Sequence, residues 1–179
     1  MKEYYILAAI NNSKLLQMKN VIFLIVCCCS FHFGFAQSVP NYDDVKLDRA
    51  EDYKPADTIA HQAADFLLFT PFDQAKIDRL KSAQFLIRWM SGTPDYNFSM
   101  DESIKNLGDE AEMMSLYMAA MTKFALENPA LSKNANQVKL GSWKILLAYC
   151  DNAANHVKIN KKLKKLSEAN QKGELEKSL

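Results

Sequence analysis

Glycine and proline are both scarce, at five each in 179 residues. Catalytic groups and phosphate cradles usually sit on strained, glycine-rich turns. The sequence has no glycine-rich phosphate loop, no H-E-x-x-H, no G-x-S-x-G and no C-x-x-C-H. Nucleotide, zinc-peptidase, serine-hydrolase and c-type haem chemistry therefore lack their familiar carriers, which argues against an enzyme. Strand signals are missing as well, because no apolar–polar alternation runs beyond four positions. No repeat recurs at a period of roughly 30 to 50 residues. Neither sign of charge dominates, with 22 Lys and Arg against 21 Asp and Glu, so nothing global points to nucleic acid.

No apolar run is long enough to span a membrane, which takes roughly 20 residues. The longest, Val21 to Cys29, lies instead within Met18–Gln37, which has the parts of a secretory signal peptide. Lys19 opens it, the apolar run follows, and Gly34 and Ala36 are the small residues before a cut. Residues 18–36 are thus read as a signal peptide. Residues 1–17 fit no part of it, so translation is expected to start at Met18, with a genuine amphipathic extension as the alternative. Leu24-Ile25-Val26-Cys27 partly matches a lipid-anchor motif, but Val26 is too bulky before the cysteine.

Cleavage would leave Gln37–Leu179, 143 residues, enough for one domain with an apolar core. Cys27, Cys28 and Cys29 would go with the signal, leaving only Cys150 and no internal disulfide. The remaining charge is uneven: residues 37–132 hold 16 acidic and 9 basic side chains, and residues 133–166 hold 8 lysines and one acid.

What remains reads as helices. Residues 37–54 are polar and aperiodic, an arm ahead of a single domain over 55–179. Asp57 or Thr58 can cap a first helix, stopped at Thr70-Pro71. Asp73 can cap a second, with Phe72 and Ile77 as a hydrophobic staple. Its apolar spacing runs Ile77, Leu80, Gln84, Ile87, with Phe85 and Trp89 widening the face. Ser99 and Glu102 form a capping box for a short helix ending near Gly108. Asp109 opens the clearest helix, with Met113, Tyr117, Met121 and Phe124 in one stripe, closed by Asn128-Pro129. A further helix is expected over about 136–155, and a last one after Asn160 carries Leu163 and Leu166. The expected class is all-α, a four- or five-helix bundle with short loops. A solenoid of helix hairpins is the alternative.

Several constellations have spacings that chemistry could use. Met114, Met118 and Met121 lie at i, i+4 and i+7, where soft thioethers suit Cu(I), although methionine also fills helical cores. Asp57, His61 and Asp65 fall on one helix face and could bind a divalent metal or move protons. Cys150 and His156 are six apart, on different faces, so a buried and inert thiol is the plainer reading. Asp57-Thr58-Ile59 has the form of an O-glycosylation site, and Thr58 serves equally as a cap. Lys158, Lys161, Lys162 and Lys165 would share a face opposite Leu163, able to meet an anionic partner or membrane surface. Trp89, Tyr96 and Trp143 could line a small-molecule pocket.

Gly92-Thr93-Pro94-Asp95-Tyr96, Leu147-Ala148-Tyr149-Cys150 and Gly173-Glu174-Leu175-Glu176 resemble stretches of small exported all-helical proteins of unknown function from Gram-negative bacteria. The resemblance implies a helical envelope domain and transfers no site residue. The leading expectation is a periplasmic or extracellular, non-enzymatic binding module that engages an envelope protein or an anionic envelope component. A carrier of a small ligand or metal comes second and an enzyme third. No motif implies a resident cofactor, nucleic acid or a membrane span in the mature chain.

Overall fold

Helix formation begins earlier than the polar composition of the arm implies. In the computed structural model, which describes residues 39–179, helix α1 runs Ala50–Phe69. The Asp52 carboxylate accepts from the backbone N–H groups of Asp48 (3.1 Å) and Arg49 (2.9 Å). It thereby satisfies donors that an open first turn leaves orphaned, and a negative charge there suits the helix dipole. Pro55 lies inside the helix, where it removes one intrahelical bond and crowds the preceding turn. Burial of Ala56, Ala60, Ala63 and Ala64 along the same helix offsets that cost. The arm thus ends before residue 50, and Asp57 and Thr58 are mid-helix residues, not caps. Thr70 leaves the helix in an extended conformation ahead of Pro71, as the sequence implies.

Helix α2 runs Lys76–Gly92, and its N-cap is Ala75 in the left-handed region, φ 49°. Asp73 faces the His156 imidazole at 3.2 Å. Ile77 is exposed, so no hydrophobic staple forms. The inward residues of α2 are Arg79, Ser82, Ala83, Phe85, Leu86 and Trp89. That is the opposite face from Ile77, Leu80, Gln84 and Ile87, which point to solvent. The arm packs on α2: the Tyr42 ring stacks on Phe85 with centroids 4.8 Å apart, and its hydroxyl is 2.8 Å from Ser82 Oγ. Arg88 also donates to the Val45 carbonyl at 3.2 Å.

A 3-10 turn at Glu102–Asn106 is capped by Asp101, not Ser99. Gly108 follows at φ +83°, a conformation glycine adopts freely. Helix α3, Ala111–Glu127, starts from Glu110 with no side-chain cap and ends at Asn128. Helix α4, Ala135–Asp151, is capped by the Asn134 side chain. It ends short of the expected residue 155, where a second 3-10 turn takes over at Ala153–Asn155. Asn160 caps helix α5, Lys161–Gln171, and the short α6 is Leu175–Ser178. The described residues are all-helical.

Packing follows the small residues. α1 lies against α2 and α3, and α3 against α4. Fully buried Ala60, Ala63 and Ala64 of α1 and Ala119 and Ala120 of α3 belong to one apolar core. Gly141 of α4 brings that helix onto Phe124 of α3, where a Cβ would be driven into the ring. Trp143 packs tilted against Tyr117, centroids 5.1 Å apart, and donates from Nε1 to Ser103 Oγ at 3.1 Å. No helix among the described residues is long and apolar enough to cross a membrane. The expected signal peptide at 18–36, the segment 1–17 and cysteines 27–29 lie outside the described residues.

Candidate functional site

The outward face of α2 is the feature least explained by folding. Ile77 is 74 % exposed, Leu80 59 % and Ile87 48 %, and exposed Gln84 completes the row. A folding helix normally turns such a row inward. Here the inward side carries the larger apolar load, with Phe85, Leu86 and Trp89 each at most 2 % exposed, and adds polar contacts. Arg79 is only 2 % exposed, and its Nη1 donates to the Leu67 and Thr70 carbonyls of the α1 end, each at 2.9 Å. Its Nε pairs with Glu112 Oε1 at 2.5 Å. The Leu67 carbonyl would look to residue 71 for a helical donor, but Pro71 has no N–H. Arg79 fills that role, and its positive charge suits the C-terminal end of the α1 dipole.

Clefts border the row on both sides. One, of about 720 Å³, lies between the arm and α2, lined by Tyr42, Asp43, Asp78, Lys81, Phe85 and Arg88 among others. The other, about 240 Å³, opens between α2 and the start of α3, lined by Lys76, Leu80, Ala83, Ala111, Glu112 and Ser115 as well as Arg79. Lys76, Lys81 and Arg88 form no ion pair among the described residues.

The Asp57–His61–Asp65 series divides in three dimensions. Asp57 accepts from Lys54 Nζ at 3.0 Å and from the Tyr96 hydroxyl at 3.1 Å. His61 instead bridges to α3: Nδ1 is 3.2 Å from Asp65 Oδ2, and Nε2 is 2.9 Å from Glu127 Oε1. His61, Asp65 and Glu127 offer ligand atoms within 4.8 Å of one another, a spacing a metal could use. Lys123 already stands there, donating to Asp65 at 2.6 Å and to Glu127 at 2.7 Å. Burial opposes the Lys123 charge, yet those bonds raise its pKa overall. Burial likewise opposes the Glu127 charge, and the bonds from Lys123 and His61 still lower its pKa. An ammonium thus already engages two of the three groups a metal would need. No hydroxyl or thiol is hydrogen-bonded to His61 among the described residues, so the group is not a nucleophile–base pair. Glu127 and Lys123 escape a reading of α1 because they lie 66 and 58 residues along the chain.

The other candidates separate as well. Lys158 precedes α5, so only Lys161, Lys162 and Lys165 share that helix. All four are exposed, and the Lys162 ammonium reaches the Lys105 carbonyl at 3.4 Å. Met118 and Met121 are buried and Met114 packs against the core, which is the gap-filling use of methionine. Burial, with help from the Asp151 charge, pushes the Cys150 thiol up to about 12, leaving it without thiolate character. Trp89 packs with Tyr96 and Phe98, centroids 5.5 and 5.8 Å away. Trp143 belongs to the Tyr117 cluster instead, so the three rings do not line one pocket.

No protein-family model matches the chain, no curated protein matches it, and no solved structure matches its fold.

Proposed function

We propose that this protein is an exported, non-enzymatic interaction module, a helical bundle that docks its partner on the outward face of α2. The observation that carries this reading is the row Ile77, Leu80 and Ile87, held in solvent by a helix whose other face is fully engaged. Exposed aliphatic rows of this kind mark interaction sites on soluble proteins. Buried apolar anchors dominate binding energy, while exposed rim charges contribute little. The lysines of α5 are therefore the weaker candidate surface, since Lys161, Lys162 and Lys165 have no exposed apolar residue on their helix. The carrier reading has less support again, with two of its three methionines buried and an ammonium between its carboxylates.

Photo-cross-linking in the native cell tests the proposal. A photoreactive residue at position 80 or 87 is expected to trap a discrete adduct in the cell envelope, and one at Lys164 is expected to trap none. Adducts absent at positions 80 and 87, or equal at all three, would overturn it.

A further inference from the structure

The outward row of α2 has the spacing of a coiled-coil seam. Ile77, Leu80, Gln84 and Ile87 step by three, four and three residues, which assigns them a, d, a and d of successive heptads. The seam covers about 15 Å of helix at 1.5 Å per residue. In that register Lys76 takes a g position, and Lys81 and Arg88 take e positions. Ala83 and Met90, the remaining g residues, are turned toward the core, Ala83 buried and Met90 packed against it. Side chains at e and g flank the seam and set partner choice through charge. Every exposed flanking position on α2 is therefore cationic, and none has a carboxylate partner among the described residues.

The acids nearby are committed or displaced. Glu112 pairs with Arg79, and Asp73 faces His156. Asp78 is a b residue, so with Asp43 it stands beyond the e row, on the Tyr42 side of the larger cleft. A second copy of this chain seated on the seam would set cations against cations. Like-charge juxtaposition of that kind selects against the pairing. Gln84 adds a further condition, since a polar side chain at an a position favours the register that gives it a hydrogen-bonding partner.

We infer that the occupant of the α2 seam is an amphipathic helix of another protein, with aliphatic residues along one stripe and Asp or Glu flanking it. This rests on the reading of α2 as the docking face and adds the chemistry of the partner. The clefts on either side of the row receive its side chains: the larger holds the stem of Lys81 and the ring of Phe85, and the smaller holds Leu80 and Ala83.

The test uses two synthetic peptides of about three heptads, both with Ile at a, Leu at d and one central Asn at a. One carries Glu and the other Lys at every e and g position, and binding to the purified protein is read by fluorescence anisotropy. The Glu peptide is expected to bind at least about tenfold more tightly than the Lys peptide at low ionic strength, with the gap shrinking in high salt. Leu80→Ser with Ile87→Ser should weaken the Glu peptide about 30-fold, as loss of two anchors implies. Lys76→Glu with Lys81→Glu should reverse the preference between the peptides. All four substituted side chains are exposed, and unchanged thermal melts confirm that the fold survives. Failure of both peptides to bind, or equal binding of both, overturns the inference. So does a wild-type dimer in sedimentation that the Ser pair dissolves. Binding to phosphatidylcholine vesicles containing phosphatidylglycerol that the Ser pair abolishes, without peptide binding, would replace the helix by a lipid surface. Cross-links from position 80 without peptide binding would leave the docking face standing and remove only the acidic helix.

Discussion

Replacing Arg79 by Met tests the reason α2 turns its apolar row outward. Methionine keeps most of the buried stem and removes the charge with its three hydrogen bonds to Glu112, Leu67 and Thr70. The Leu67 carbonyl is left without the donor that Pro71 cannot supply, a loss of about 1–3 kcal/mol for a buried acceptor. The Thr70 carbonyl keeps the Tyr149 hydroxyl at 2.8 Å, so its share is small. Glu112, with a side chain 28 % exposed, recovers part of its hydration, which holds its share to about 1 kcal/mol. The total is about 2–4 kcal/mol, held down by removal of the unpartnered Arg79 Nη2, and it is large against a domain stability of about 5–15 kcal/mol yet small enough to leave the protein folded. Glu112→Gln alone should cost about 2 kcal/mol, because it strips the counter-charge from a buried guanidinium that two carbonyls still hold. The double variant should be less destabilised than the sum by about 1–2 kcal/mol. Urea unfolding followed by far-UV circular dichroism at neutral pH measures all three. A loss below about 1 kcal/mol for Arg79→Met, or strict additivity with Glu112→Gln, would refute the role assigned to this ion pair.

Other expectations rest on separate parts of the fold. Gly141→Ala should lower the melting temperature although alanine is the better helix former by about 1 kcal/mol, because the new Cβ meets the Phe124 ring. Phe124→Leu in the same chain should recover part of the loss, and a higher-melting Gly141→Ala would contradict the close approach of α3 and α4. The Ser103 hydrogen bonds, opposed by burial and aided by Lys139, hold the Asp101 carboxyl at about 2 against an ordinary 3.8. A depressed carboxyl stabilises the fold above its unfolded value and loses that contribution as pH falls. Asp101→Asn should therefore flatten the decline in stability between pH 3.8 and about 2, measured by acid titration of the melt. Cys150 should resist a disulfide reagent at mildly alkaline pH until denaturant is added. Its proton is held in the folded state up to about 12 and released in the unfolded state from about 9. Stability should thus fall across that interval, and less steeply in Cys150→Ala.

The long-range features explain which parts of the chain could be read in advance. Asn128-Pro129 and Thr70-Pro71 end their helices through local backbone geometry, which needs no partner. In the stripe Met113, Tyr117, Met121 and Phe124 of α3, the first three are buried as the spacing implies and Phe124 is half-buried, because α1, α2 and α4 all pack on this helix and offer apolar surface. The start of α1 was hidden because the bonds to Asp52 and the alanine packing override Pro55 and a polar composition. The link from His61 to Glu127 and Lys123 was hidden because those residues come from a helix far along the chain.

Helix α2 draws the line most clearly. Local pattern alone implied a helix after Asp73 with an apolar row at Ile77, Leu80 and Ile87, ending at the Gly92-Thr93-Pro94 turn. The structure starts it at Lys76. Which face went inside was a tertiary decision. The end of α1 presented a carbonyl that only Arg79 was placed to satisfy, the start of α3 supplied Glu112, and the arm brought the Tyr42 hydroxyl to Ser82. Those contacts paired most of the polar groups that went inside with Phe85, Leu86 and Trp89, while Arg79 Nη2 and Trp89 Nε1 stayed unpartnered. The aliphatic row was left in solvent, as the surface on which this protein is proposed to work.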